Sequence, residues 1–223
     1  MSSSNASPSY PIEHLEDFTR HEWCQTLLSD PSITKIMKRR MSPHDVSVSN
    51  SFFTTTLFTD GAIRAFLSMF RPGRGRSRTT ADAQVVGDAL VGDKGSEPRL
   101  TEDESQELDT QDDLDEPESL LLVSLGKALD GGINRLHGGV TATLLDQVMG
   151  VLISYVHANT SATAELTIKY KKAIQTPAVL LCRARIVREV GRWIEVVGWI
   201  EDGRGVIYAE GKGSFVKSKV AKI

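Results

Sequence analysis

The sequence predicts an α+β domain in which an antiparallel sheet packs against one long helix. Two observations carry this. A glycine pair, Gly138 and Gly139, opens an apolar helix that runs past Gly150, and after it come four segments whose apolar residues recur at every second position, joined by short turns. At 223 residues, 40% of them hydrophobic, the chain exceeds the ~100 to 150 that such a domain needs, so extensions are expected as well.

At the start, Ile12, Leu15, Phe18, Trp23, Leu27 and Leu28 form a loosely helical apolar pattern that stops at Asp30-Pro31, and Ser32 is placed to cap a second short helix through Met41. Residues 51–71 include Phe52, Phe53, Leu57, Ile63, Phe66, Leu67 and Phe70, apolar enough to be core, and their end reads as the first strand. Between 72 and 117 the composition changes. Residues 71–78 are basic and rich in glycine, and 102–118 are strongly acidic with only Leu108 and Leu114 as apolar residues, the pattern of a disordered insertion. A strand is expected at 119–128 beyond it.

On the helix, stepping ~100° per residue from Val140 gathers Val140, Leu144, Val148, Val151, Leu152 and Tyr155 on one apolar face. Ala142, Thr143, Asp146 and Gly150 cluster on the other side. With Leu145, Met149 and Ile153 also apolar, little face remains for solvent, and Asp146 is expected to be partly buried. Next, Ala162, Ala164, Leu166, Ile168 and Tyr170 alternate with Thr163, Glu165, Thr167 and Lys169, a half-buried strand. A second strand, 178–190, puts Leu180, Cys182, Ala184 and Ile186 on one face and Arg183 and Arg185 on the other. Gly191 marks a hairpin into a third, 193–201, and Asp202 to Gly205 lead to a fourth, 206–216. In the fourth, Ile207, Ala209, Gly211, Gly213 and Phe215 share a face whose small centre lets the helix approach closely. Helix and meander together predict the α+β class.

The helix start is also where chemistry is expected. Its first N–H groups lack intrahelical partners, the helix dipole is positive there, and Gly138 and Gly139 place no side chain in the way of a carbonyl oxygen. Asp146 follows two turns on. A partly buried carboxylate is costly unless paired, hydrogen-bonded or functional. The arrangement suits acyl transfer, and the competing reading of Asp146 is an acid held at a subunit interface.

The run 137–150, the strand 163–170 and the strand 209–216 together resemble the hotdog-fold acyl-CoA thioesterases of the PaaI-like type, especially fungal members. The resemblance covers roughly 115–217, and more weakly 50–71. In that family a long antiparallel sheet wraps one central helix, and two subunits pair into a continuous sheet with two active sites at the interface. Laid on this sequence, the family pattern makes Asp146 the general base or nucleophile and the Gly138 N–H the donor to the thioester carbonyl. Thr163 falls where relatives carry a Ser or Thr that positions the water or the acid. Relatives often hold a side-chain amide upstream of the histidine, where this chain has Gly131 and Gly132; Asn134 is the candidate to substitute, with Gly139 beside it as a substrate contact. His137 either orients the carbonyl or binds the leaving thiol, or fixes the loop entering the helix. The resemblance implies hydrolysis of an acyl-CoA or carrier-bound acyl thioester by a homodimer or homotetramer. No cofactor is implied, coenzyme A being part of the substrate. The expected organisation is a helical extension over 1–50 lying on the sheet's edge or near the acyl tunnel, the hotdog domain over 51–217 with its insertion, and a tail at 218–223.

Composition narrows the alternatives. A net charge of −3 is too slight to argue for nucleic acid or an acidic membrane. Cys24 and Cys182 stand far apart with no CxxC or nearby histidine pattern, so neither a metal site nor a disulfide is expected. No apolar run approaching a membrane span and no signal peptide are read, and the terminal Ala221-Lys222-Ile223 is similar to the peroxisomal address best known as Ser-Lys-Leu, so the protein is expected to be cytoplasmic or peroxisomal. Phosphate contacts are sought in residues 71–78, read first as a solvated linker, or in Lys169, Lys171, Lys172, Arg183 and Arg185, which equally suit solvated strand edges. Two other functions compete: a hotdog hydratase or dehydratase, which carries a proline after the glycine where Val140 stands here, and a non-catalytic acyl-CoA-binding protein, which needs no Asp146.

Overall fold

The structure is a computed structural model, described here over residues 13–38, 50–73 and 116–219. Its large strands are β1 (Lys35–Lys38), β2 (Ile63–Arg71), β3 (Glu118–Leu125), β6 (Ser161–Tyr170), β7 (Ala178–Val190), β8 (Trp193–Glu201) and β9 (Ile207–Lys217). A small ribbon, β4 (Asp130–Gly132) and β5 (Arg135–Leu136), precedes α3, the helix Gly138–His157. The sheet runs β1-β2-β3-β7-β8-β9-β6, antiparallel throughout, and α3 packs on its inner face: the hotdog arrangement. The expected meander holds for β7, β8 and β9. Its first strand is a correction, because β6 pairs with β9 and not with β7, which leaves β6 at the sheet's edge.

Close approach of helix and sheet depends on small residues. A Cβ at Gly198 would stand 2.8 Å from the Arg183 carbonyl oxygen and 3.0 Å from Met149 Cε, and one at Gly211 would stand 3.1 Å from Met149 Cε. The helix is also anchored by Ser119, whose buried Oγ donates to the Val148 carbonyl at 2.7 Å. Because a backbone carbonyl in a central strand cannot step aside, Gly198→Val is expected to destabilise the fold by ~1–3 kcal/mol. The check is a lower urea midpoint at unchanged m-value.

The buried arc of α3 differs from the expected one. Thr141, Leu144, Leu145, Val148, Met149, Leu152 and Ile153 are buried, whereas Val140, Asp146, Gln147, Gly150 and Val151 are only half-buried and Gly139 is exposed. The helix is apolar nearly all round, and the sheet takes one half of it. The other half, with Val151 next to Asp146 and not on the core face, is left largely uncovered by the described residues. By length and mean hydropathy (1.4) α3 meets the standard of a membrane span, contrary to the sequence reading, yet one side is packed into the sheet.

The extension forms α1 (Glu16–Thr19) and α2 (Glu22–Ser29), ending at Asp30-Pro31 as expected. Two expectations fail here. Residues 35–38 are the edge strand β1 and not a helix, because Ile33 and Ile36 are buried and the Thr34 N–H is bonded to the Phe70 carbonyl; Ser32 bonds Asp30 locally instead of capping a helix. Residues 39–41 lie outside the described residues. The helices also lie neither at the sheet's edge nor beside α3. Phe18 and Cys24 pack with Leu67, Met69, Leu120, Leu122 and Leu181 in a second core on the outer face.

Charges lock that outer layer. Asp17 of α1 accepts from Ser124 Oγ of β3 at 2.6 Å and from Arg64 Nε of β2 at 2.8 Å. Burial alone would raise its pKa, but these hydrogen bonds outweigh it and hold the carboxyl below the ordinary range. Glu118, 1% exposed, is surrounded by Arg71, Arg183 and Arg185, and Arg71 also reaches Asp30 at 2.8 Å. A carboxylate so buried persists only when paired. Arg183 and Arg185 are thus neither solvated strand edges nor free for a phosphate.

The π-helical turn Phe52–Leu57 precedes β2, which begins at Ile63. β3 ends at Leu125, short of residue 128, because Lys127–Leu129 form a 3₁₀ turn. Most of the expected insertion, 74–115, and the terminal Ala221-Lys222-Ile223 lie outside the described residues.

Candidate active site

The start of α3 is held in place from both sides. The N–H of Leu136 is bonded to the Ile174 carbonyl and that of His137 to the Leu129 carbonyl, which fixes where the helix begins. His137 is the N-cap, in extended conformation, and its Nδ1 accepts from the Gly139 N–H at 2.9 Å. With Nδ1 an acceptor, the neutral ring carries its proton on Nε2. The Val140 and Thr141 N–H groups both bond the His137 carbonyl. Gly138 therefore has the one N–H of the first turn with no partner among the described residues. Its carbonyl accepts from Tyr170 Oη at 3.0 Å.

The bond at Nδ1 is the contact that the loop-fixing reading of His137 requires. Gly139, expected at the substrate, gives its N–H to that cap, and a Cβ there would stand 3.0 Å from His137 Nδ1. Asn134 occupies a turn at φ 52°, with its N–H on Asp130 Oδ2 at 3.0 Å. A side chain has no room at Gly131, where a Cβ would come within 2.9 Å of His137 Cα, whereas at Gly132 it would meet only the flexible Arg135 guanidinium at 3.2 Å.

Asp146 is half-buried on the uncovered side of α3, and Thr163 Oγ1 donates to its Oδ1 at 2.7 Å. Simple alternation puts Thr163 on the face opposite Leu166. The ladder shifts between Thr163 and Glu165, a bulge at Ala164, and the extra residue lets Thr163 reach the helix while Leu166 and Ile168 still pack on the core. Asp146 and Thr163 line a depression of about 230 Å³ with Gly150, Val151 and Phe215.

Gly138 opens onto a different cleft, about 400 Å³, lined by Tyr170, Lys171, Ile174 and Tyr208 among others. Eight residues of helix rise by ~12 Å. The open N–H and the carboxylate of one chain are therefore too far apart to act on the same carbonyl. Tyr170 is the residue that sequence reasoning missed. Its place at the end of the alternating strand marks it as core, whereas it is 56% exposed and bonds the helix start.

Other chemistries have less to work with. Cys24 and Cys182 are buried and unpaired; burial pushes the Cys24 thiol up to about 12 and raises that of Cys182 as well, so neither is a ready nucleophile. Among the described residues, no three His, Cys, Asp or Glu side chains come together as a metal site.

Residues 134–207 match the family model described as the thioesterase superfamily. No curated protein matches the chain. Among solved structures, a Bacillus halodurans protein determined with CoA is 32% identical, over 44% of this chain and 66% of its own, with a TM-score of 0.41. This chain thus spans slightly less than two thirds of that protein. A conserved protein of Pseudomonas aeruginosa is 24% identical, over 45% of this chain and 81% of its own, at 0.43. A hypothetical thioesterase of Streptococcus pneumoniae, determined with coenzyme A, is 19% identical, over 45% and 81%, at 0.43.

Proposed function

We propose, for a chain whose residues 134–207 match the thioesterase superfamily model, that it hydrolyses acyl-CoA thioesters at a site completed by a second copy of itself. The observation that carries this reading is the Gly138 N–H, the one first-turn donor left open at the positive end of α3. A thioester carbonyl placed there has its developing oxyanion stabilised. Asp146, held by Thr163, takes a proton from water as the water attacks, the C–S bond breaks, and that proton goes to the leaving thiolate, giving acid and free thiol; in the alternative route the carboxylate itself attacks, the C–S bond breaks to release thiolate and leave a mixed anhydride, and water then cleaves the anhydride, restoring Asp146 and supplying the thiolate's proton.

The second copy follows from the ~12 Å between the two groups, since Asp146 of one chain must then meet Gly138 of the other. The surfaces agree. β6 presents a ten-residue edge with no neighbour on one side among the described strands, an arrangement that proteins usually cover. Gly150 supports the same conclusion. A glycine inside a helix costs ~1 kcal/mol against alanine, yet a Cβ there would meet nothing within 4 Å among the described residues. A close partner backbone explains it.

The test is a panel of acyl-CoA thioesters of graded chain length, read by thiol release, with light scattering for mass. Release of thiol by a dimer or tetramer is expected. Binding without thiol release would make the protein an acyl-CoA binder, and hydration of an enoyl-CoA with the thioester intact would make it a hydratase.

A further inference from the structure

The peptide group between Gly138 and Gly139 is held at both ends by side chains. Its N–H, on Gly139, donates to His137 Nδ1 at 2.9 Å, and its carbonyl, on Gly138, accepts from Tyr170 Oη at 3.0 Å. The first bond is local; the second spans 32 residues and reaches the helix from the end of β6. Leu166 and Ile168 pack on the core, and the same alternation carries Tyr170, two residues further on, past the rim of the core to the first turn of α3. The strand end is itself fixed, since the Lys171 and Lys172 N–H groups both bond the Tyr208 carbonyl. The ring lies against Gly138, where a Cβ would meet Tyr170 Oη at 3.5 Å and Cε1 and Cζ at 3.6 Å. Stability does not account for this arrangement. The residue is 56% exposed, and one exposed hydrogen bond contributes little to folding.

We propose that Tyr170 is a positioning residue: its hydroxyl locks the Gly138–Gly139 peptide and so keeps the neighbouring Gly138 N–H aimed at the substrate carbonyl. The reaction it serves rests on the thioesterase reading; the lock itself rests on the two hydrogen bonds. A helix that starts on two glycines has the widest backbone freedom at its first turn, and helix ends fray. Any swing of the peptide that follows Gly138 alters the direction of the open N–H. A donor already fixed in place stabilises a developing oxyanion without reorganising during the step, so the lock acts on kcat and not on KM. Losing the bond that orients the donor is expected to cost about tenfold, against ~100- to 1000-fold for losing the donor.

The test removes the hydroxyl and keeps the ring. Tyr170→Phe is made in wild type and in Gly138→Pro, which deletes the N–H that the lock aims, and each protein is followed by thiol release from an acyl-CoA. Amide hydrogen exchange is measured in parallel on wild type and Tyr170→Phe labelled with nitrogen-15 glycine, a readout that needs no turnover. In Tyr170→Phe the Gly139 N–H is expected to exchange about tenfold faster than in wild type, and kcat to fall about tenfold, with KM and melting temperature unchanged. In the Gly138→Pro background the same substitution is expected to change kcat by less than about twofold, because no donor is left to aim. A merely structural role gives the same loss in both backgrounds, and that result overturns the proposal. Wild-type kcat in Tyr170→Phe, or unaltered exchange at Gly139, overturns it as well. If wild type releases no thiol from any acyl-CoA, the thioesterase reading falls, and the Gly139 exchange rates alone then uphold or overturn the lock.

Discussion

Replacing Asp146 with asparagine is expected to lower kcat for thioester hydrolysis at least ~100-fold while KM and oligomeric mass stay close to wild type. The substitution keeps the shape of the side chain and its acceptor oxygen for Thr163 Oγ1, and removes only the ability to take a proton or attack. The competing role, an acid that merely holds an interface, makes the opposite prediction. It moves the melting temperature and the dimer mass and leaves the rate per folded dimer almost unchanged. Measuring rate, melting temperature and mass on the same preparation separates the two. Thr163→Val is expected to give a smaller loss, because it removes the hydrogen bond that orients the carboxylate but not the carboxylate itself.

Replacing Gly138 with proline is expected to cost ~100- to 1000-fold in kcat, the usual effect of losing one oxyanion donor. Few sites allow so clean a deletion of a backbone N–H. Proline is favoured at the first position of a helix, and the preceding residue must be extended, as His137 is at φ −66° and ψ 134°. A Cβ at this position would meet Tyr170 Oη at 3.5 Å, an ordinary contact. The fold is therefore expected to survive, with an unchanged melting temperature as the check. A Gly138→Pro protein with wild-type kcat would leave the helix start no part in the reaction.

Much of this was legible in the sequence, for identifiable reasons. The strands 178–190 and 193–201 are read to the residue because Gly191, at φ 60°, closes a tight hairpin between two runs of period two. The helix and its acid are legible because a glycine pair followed by an apolar periodicity is a local signal. What escaped depends on contacts between distant residues. A helix apolar nearly all round does not show which half the sheet takes, so Val151 was assigned to the wrong side. A bulge at Ala164 is invisible to strict alternation, and with it the meeting of Thr163 and Asp146. Ser32 and the isoleucines beside it suit a capped helix as well as a strand, and only the free edge of β2 decides in favour of β1. Which N–H of the first turn stays open depends on the side chain of His137 turning back onto Gly139.

The central claim, a site shared between two chains, is tested most directly by a heterodimer of Asp146→Asn and Gly138→Pro subunits, co-expressed with different tags and purified through both. Each homodimer is expected at or below ~1% of the wild-type rate. In the heterodimer, one site receives both defects and the other neither, so about half of the wild-type rate per dimer is expected to return. A heterodimer as inactive as its parents would place both groups of each site in one chain and contradict the account.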